Sequence, residues 1–170
     1  MLSESARVTT AEEARFRVGY PNSRPRAIKV IALDRQAEHV VERLAQLKWN
    51  GASFLTASAF AADPRQGGNF SMQGWLNDLA GRAKDFVDEI KGADLVVMVA
   101  TAGKDAQAAS IIGEACSLRR ITTTGLIIGS QIVSDEALSK TLAQMRPWSL
   151  MLVIANADEY IEDMLIALRA

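Results

Sequence analysis

The most constraining feature of this sequence is an almost continuously apolar run at positions 94–101, DLVVMVAT. A strand buried on both faces has this composition, and such strands occur in parallel sheets that helices cover on both sides. Four other short apolar segments, at 27–33, 52–57, 121–128 and 150–155, predict four further strands. The chain is therefore expected to build a parallel sheet rather than a bundle or a β-sandwich.

Segments with apolar residues at helical spacing alternate with these strands and predict the helices. They cover residues 36–48, 74–91, 106–118, 134–145 and a last helix capped by Asn156. The alternation predicts a three-layer, doubly wound, mostly parallel five-stranded α/β sheet of the Rossmann-like type. Residues 27–170 are expected to form this single domain. Residues 1–26, with five arginines and two prolines, are predicted to be a flexible or loosely packed N-terminal arm.

The charge balance and the rare residues exclude several classes of function. The chain has 19 basic and 20 acidic residues, a formal net charge of −1, so a nucleic-acid partner is not expected. One cysteine and one histidine exclude a disulfide framework and a Cys/His zinc cluster. The longest apolar runs, at 95–100 and 150–155, are too short to span a membrane. With no secretory signal visible, the sequence predicts a cytoplasmic protein.

In a doubly wound sheet, ligands bind beyond the carboxyl ends of the strands. A phosphate site there needs glycines, which let the backbone approach the ligand. The turn at 32–38 has no glycine, and the turn at 101–107 has only Gly103. Asp34 and Asp105 stand where helices begin, so both are predicted to cap helices. The alternative is that they coordinate a metal or polar ligand, with Lys104 or Arg35 as the counter-charge.

Several ordered segments resemble the bacterial tubulin homologue FtsZ. They are IKVI at 28–31, GASF at 51–54, KGADLV at 91–96, TAG at 101–103, ASIIGE at 109–114 and LMLVIAN at 150–156. The resemblance covers about residues 27 to 160, in the family's order. It implies the fold of the tubulin nucleotide-binding domain and carries over Asn156 as a residue of the site.

The sequence departs from that family at the loops that hold phosphate. Residues 34–38, DRQAE, stand in place of the first glycine-rich loop, and residues 104–108, KDAQA, in place of the tubulin signature. Nothing in the chain corresponds to the acidic loop that activates water in the family. GTP binding through glycines and GTP hydrolysis are therefore not expected to carry over.

Three functional hypotheses follow. The first is a tubulin/FtsZ-like domain that has lost GTP hydrolysis and works as a protein-interaction or assembly module, with a protein partner or a second copy and without a cofactor. The second is binding of a nucleotide or small metabolite at the carboxyl edge of the sheet. The absence of phosphate-loop glycines disfavours a nucleotide. Its contacts would be Asp34, Arg35, Thr101, Gly103, Lys104, Asp105 and Asn156. The third is an enzyme of unrelated chemistry on a flavodoxin-like sheet.

Overall fold

The computed structural model describes residues 26–57, 76–78, 83–84, 86–155, 158–168 and 170. Seven strands and five α-helices lie in these ranges. The strands are β1 (Ile28–Ala32), β2 (Ala52–Thr56), β3 (Leu76–Asp78), β4 (Ala83–Lys84), β5 (Leu95–Thr101), β6 (Thr122–Ile128) and β7 (Met151–Ala155). The helices are α1 (Arg35–Ala45), α2 (Phe86–Ile90), α3 (Ala108–Leu118), α4 (Asp135–Met145) and α5 (Asp158–Ala167). Two short 3₁₀ helices, Ser130–Ile132 and Arg146–Trp148, flank α4.

The strands form one sheet in the order β4-β3-β2-β1-β5-β6-β7. β2, β1, β5, β6 and β7 pair in parallel, as the five apolar segments predict. β3 and β4 add an antiparallel hairpin beside β2. The predicted fold class is confirmed: the chain has a three-layer, Rossmann-like α/β fold whose central strands are all parallel.

Two apolar layers hold the helices against the two faces of the sheet. Alternate residues of each central strand enter opposite layers, because successive side chains of a strand point to opposite faces. One layer joins the strands to α3 and includes Met98, Ile112 and Cys116. The other joins them to α1 and α5 and includes Val97, Val41 and Ile161. All seven residues of β5 except the last are buried, which explains its continuous apolar composition.

The helix predicted at 74–91 is the one prediction of secondary structure that is wrong over most of its length. Residues 76–78 and 83–84 are strands, and the helix covers only Phe86–Ile90. β3 pairs with the edge of β2, with Thr56 opposite Asn77. That edge offers unpaired backbone groups, and pairing with it overrides a helical pattern of side chains. Of the predicted arm at 1–26, only residue 26 lies within the described residues.

Candidate functional site at the switch point of the sheet

The order of the parallel strands reverses between β1 and β5. The chain runs from β1 to β2 on one side of the sheet, and β5, β6 and β7 follow on the other side. In open α/β sheets, the crevice beyond the carboxyl ends of two such strands is the usual ligand site. Here the turn after β1 and the turn after β5, residues 33–34 and 102–107, border that crevice.

Asp34 spans this crevice with its carboxylate. It is the N-cap of α1, and its Oδ1 accepts the backbone N–H groups of Gln36 and Ala37, both at 2.9 Å. Its Oδ2 accepts the backbone N–H of Thr101 at 2.6 Å, and the Thr101 hydroxyl donates to Oδ1 at 2.8 Å. The residue is only 6% exposed. The predicted cap at Asp34 is confirmed, and the carboxylate also joins β5 to α1.

The electrostatic consequence is that an acidic side chain occupies the positive end of α1. A helix N-terminus attracts anions because its first N–H groups lack partners within the helix and the peptide dipoles add to their charge. Asp34 uses two of those N–H groups and supplies the negative charge itself. An incoming phosphate would have to displace a hydrogen-bonded carboxylate that lies within the same crevice.

The backbone of the turn after β5 is also engaged by the protein. Ala102 N–H donates to Ile128 O at 2.8 Å, and Lys104 N–H donates to Thr101 O at 3.0 Å. Three further N–H groups of this turn donate to side chains: Gly103 to Thr141 Oγ1 at 3.0 Å, Ala106 to Gln144 Oε1 at 2.8 Å, and Gln107 to Asp105 Oδ1 at 3.2 Å. These N–H groups are already bonded within the protein, whereas in a phosphate-binding loop such groups are free to bind the ligand.

Thr141 and Gln144 of α4 are the two site residues that the sequence analysis missed. Thr141 is fully buried, accepts from Gly103 N–H and donates its hydroxyl to Lys104 O at 3.0 Å. Gln144 donates from Nε2 to Asp105 Oδ1 at 2.8 Å. A signal existed: Thr141 is a polar residue between Leu138 and Met145 on the apolar stripe of α4. Nothing local indicates that its partner lies in the turn after β5.

The prediction that Asp105 caps a helix is wrong. α3 begins at Ala108, and its N-cap is Gln107, which makes no side-chain capping bond. The Asp105 carboxylate accepts instead from Gln107 N–H and from Gln144. Asp105 therefore links the turn after β5 to α4.

Gly103 serves the packing of this turn. Its φ of +79° lies in the left-handed region, where a side chain is strained. A Cβ at this position would lie 3.4 Å from both Ala137 Cβ and Val133 Cγ1, at the start of α4. The single glycine of the turn is therefore explained by a backbone conformation and by the approach of α4.

The other predicted site residues stand as follows. Arg35 and Lys104 are exposed to solvent, so their charges do not enter the hydrogen-bond network around Asp34. Asn156 lies outside the described residues. The structure thus brings Asp34 and Thr101 together directly, and it joins Gly103, Lys104 and Asp105 through α4.

The residues with intrinsic reactivity lie away from this crevice. Cys116 is fully buried on α3, and burial raises the pKa of its thiol to about 11, so the nucleophilic thiolate is scarce at neutral pH. His39 is exposed on α1, with Nδ1 3.7 Å from Glu42 Oε2. Across the described residues, no group of three or more His, Cys, Asp or Glu side chains could hold a metal ion. In the same ranges, no helix is both long enough and apolar enough to cross a bilayer.

The fold and this site define a class: a doubly wound α/β domain in which a capping aspartate and the side chains of α4 occupy the switch-point turns. No family model matches this chain, and no curated protein matches it either. The resemblance to FtsZ therefore stays a sequence-based prediction.

Proposed function

We propose that this chain is a tubulin/FtsZ-like α/β domain that no longer hydrolyses GTP and works as an assembly module whose partner is a second copy of itself. The observation that carries the first half is the Asp34 carboxylate, which accepts from Gln36, Ala37 and Thr101 within the switch-point crevice. Removing those bonds to admit a phosphate would cost the protein both a helix cap and the link between α1 and β5.

The surface that supports self-assembly is the β7 edge, which we define as Leu150 and strand β7. Leu150 is 83% exposed, and Met151 and Ile154 are each more than 40% exposed. No charged residue occurs from 147 to 157. Natural sheets usually protect a terminal strand with charges or proline because its backbone can pair with another chain. An apolar, uncharged edge without that protection is the expected surface for strand pairing.

The backbone alternation specifies how two copies would pair. Leu150 N–H donates to Thr123 O of β6 at 2.9 Å, so alternate residues from Leu150 onward face β6. The backbone groups of Met151, Val153 and Ala155 therefore face outward. A two-fold axis at Val153 would pair Met151 with Ala155 of the second copy in an antiparallel ladder. Because the segment has no charge, this symmetric pairing brings no like charges together.

A five-residue ladder buries little surface, which sets the expected strength. Stable protein–protein interfaces bury at least about 1,200 Å² in total, and smaller ones are weak or transient. We therefore expect a dimer with a dissociation constant on the order of micromolar.

The test is sedimentation velocity on the full chain and on two matched variants. Ile154→Lys places an ammonium group on the β7 edge and should make the protein monomeric, because the charge would be desolvated in the pair. Ile132→Lys is the control: it makes the same exchange at a residue that is 90% exposed, in the 3₁₀ helix before α4. It should leave the dimer unchanged. If both variants dimerise like the original protein, the β7 edge is not the interface.

Nucleotide binding is tested separately by calorimetric titration of GTP, GDP and ATP with Mg²⁺. The proposal expects no saturable heat for any of them. Micromolar binding of one nucleotide would contradict it and would favour the second hypothesis, a ligand site beyond the carboxyl ends of the strands.

One observation favours the third hypothesis as a second candidate. The five parallel strands, numbered by themselves, run in the order 2-1-3-4-5, which is the flavodoxin-like order. A flavin enzyme on this sheet is therefore the competing hypothesis, and it rests on fold analogy alone. Titration of flavin mononucleotide, followed by quenching of its fluorescence, distinguishes the two, and our proposal expects no quenching.

A further inference from the structure

A cavity lies at the opposite edge of the sheet from Asp34. It has a volume of about 490 Å³ and lies where α3 ends, β6 begins and the 3₁₀ helix Arg146–Trp148 leads toward β7. Small-molecule sites commonly have volumes of roughly 300–1,000 Å³, so this cavity is large enough for a small organic ligand. The residues that matter for its chemistry are Ser117, Arg120, Thr122, Trp148, Ser149 and Leu150, all of which line it.

Arg120 occupies a backbone position that suits glycine. It follows the end of α3 with a φ of 57°, and within the described residues it is the only non-glycine with a positive φ. Ile121 N–H donates to Cys116 O at 3.0 Å and Arg120 N–H to Ser117 O at 3.1 Å, which is the Schellman pattern of bonds that ends many helices. Glycine is favoured at this position because it has no Cβ to strain. Glycine would relieve the backbone strain at this position, and the side chain of the arginine lines the cavity.

The described residues that line the cavity include one cation and no carboxylate. Among them Arg120 alone is charged, and none of the described carboxylates forms an ion pair with the Arg120 guanidinium. A guanidinium binds a carboxylate through two parallel N–H bonds, so one arginine matches one carboxylate. The lining thus selects a ligand with a single negative charge.

The rest of the described lining combines apolar side chains with uncharged polar ones. Trp148 and Leu150 provide the apolar wall, and the Trp148 ring is held in place against α3, where Gly113 leaves room for it. Ser149 Oγ is buried and, among the described residues, has no hydrogen-bond partner. This oxygen lies beside Gly125 of β6, inside the core, so a ligand in the cavity would not contact it.

We infer that this cavity, the Arg120 cavity, is a binding site for a small aromatic carboxylic acid. The carboxylate pairs with the Arg120 guanidinium, and the ring lies against Trp148 and Leu150. Ser117 and Thr122 offer hydroxyl donors beside the carboxylate. This site is separate from the switch-point crevice, and the one residue of the β7 edge among its described lining residues is Leu150.

The test is a titration of the full chain with benzoate, followed by amide NMR, with benzamide as the neutral probe of the same shape. We expect benzoate to shift the signals of Arg120 and the Trp148 indole N–H saturably below about 10 mM, a range typical of a fragment-sized ligand. Benzamide should bind at least roughly tenfold more weakly, because it lacks the charge that Arg120 recognises.

The decisive variant is Arg120→Gly, because it removes the guanidinium and relieves the backbone. It should raise the melting temperature by a few degrees and weaken benzoate binding at least roughly tenfold. Arg119→Ala is the control: it removes a neighbouring arginine whose Nη1 donates to Ala115 O, outside the cavity lining. It should leave benzoate binding within roughly twofold.

Four results would overturn the inference. They are no saturable shift with benzoate, shifts that map away from Trp148, equal binding of benzamide, and unchanged benzoate binding by Arg120→Gly. Should Arg120→Gly fail to fold, Arg120→Asn replaces it, since asparagine tolerates the left-handed region and carries no charge.

Discussion

Replacing Asp34 should destabilise this fold more than the loss of an ordinary helix cap. The carboxylate joins two N–H groups of α1 to the N–H and hydroxyl of Thr101 on β5. Asp34→Ala removes all of these acceptor contacts and leaves buried donors without partners. The expected result is a lower free energy of unfolding at neutral pH.

The size of the effect follows from the two kinds of bond. Loss of the N-cap costs about 1 kcal/mol, within a range of roughly 0.5–2 kcal/mol. The bond from Thr101 N–H to an ionised carboxylate adds about 1.5–3 kcal/mol. Asp34→Ala should therefore cost about 3 kcal/mol, a large part of the roughly 5–15 kcal/mol that keeps a domain folded.

Two comparison variants separate the cap from the bridge. Ser134→Ala removes the N-cap of α4, where Ser134 Oγ accepts from Ala137 N–H at 3.3 Å and no second element is joined. It should cost about 0.5–1 kcal/mol. Asp34→Ser keeps an oxygen that can cap α1 but is too short to bridge to Thr101, so it should cost about 2 kcal/mol.

Urea unfolding monitored by circular dichroism gives these free energies from the midpoint, provided that the slope stays the same. The reasoning is refuted if Asp34→Ala costs no more than Ser134→Ala. It is also refuted if Asp34→Ser matches the original protein, because the bridge would then contribute nothing.

Three further predictions concern other parts of the fold. Lys29 Nζ lies 3.1 Å from Glu89 Oε2 in a part-buried pair, so Glu89→Ala should cost about 1–2 kcal/mol in urea unfolding; an unchanged midpoint would contradict this. Burial raises the Cys116 thiol pKa from 9.0 to about 11, so the folded state favours the protonated thiol. The free energy of unfolding should therefore fall by about 2–3 kcal/mol as the pH rises from 9.0 to 11. Cys116→Ala should abolish that part of the pH dependence. Gly113→Ala should cost about 1–3 kcal/mol despite better helix propensity, because its Cβ would overlap Trp148; a stabilised variant would refute the close packing.

The parallel sheet could be predicted because short strand-like segments alternate with helical ones, and because β5 over Leu95–Thr101 is apolar and buried on both faces. The hairpin of β3 and β4 could not. Its residues have apolar spacing that also suits a helix, and the deciding interaction is backbone pairing with β2, a distant segment. Local patterns do not contain that information.

The site shows the same division between local and distant contacts. Asp34 was predictable as a cap, since the backbone N–H groups that donate to its carboxylate lie only two and three residues further along the chain. Its bond to Thr101, 67 residues away, was not. Asp105 was wrongly predicted to cap a helix because its partner, Gln144, lies 39 residues along the chain. Chain-distant partners determine whether an acidic residue is a cap, a link or a ligand.

The measurement that tests the central claim most directly is sedimentation equilibrium of the full chain, with and without GTP and Mg²⁺. We expect a monomer–dimer equilibrium between about 1 and about 100 µM, with the same dissociation constant in both conditions. A protein that stays monomeric throughout, or that dimerises only with GTP, would contradict the proposal of an assembly module that works without nucleotide.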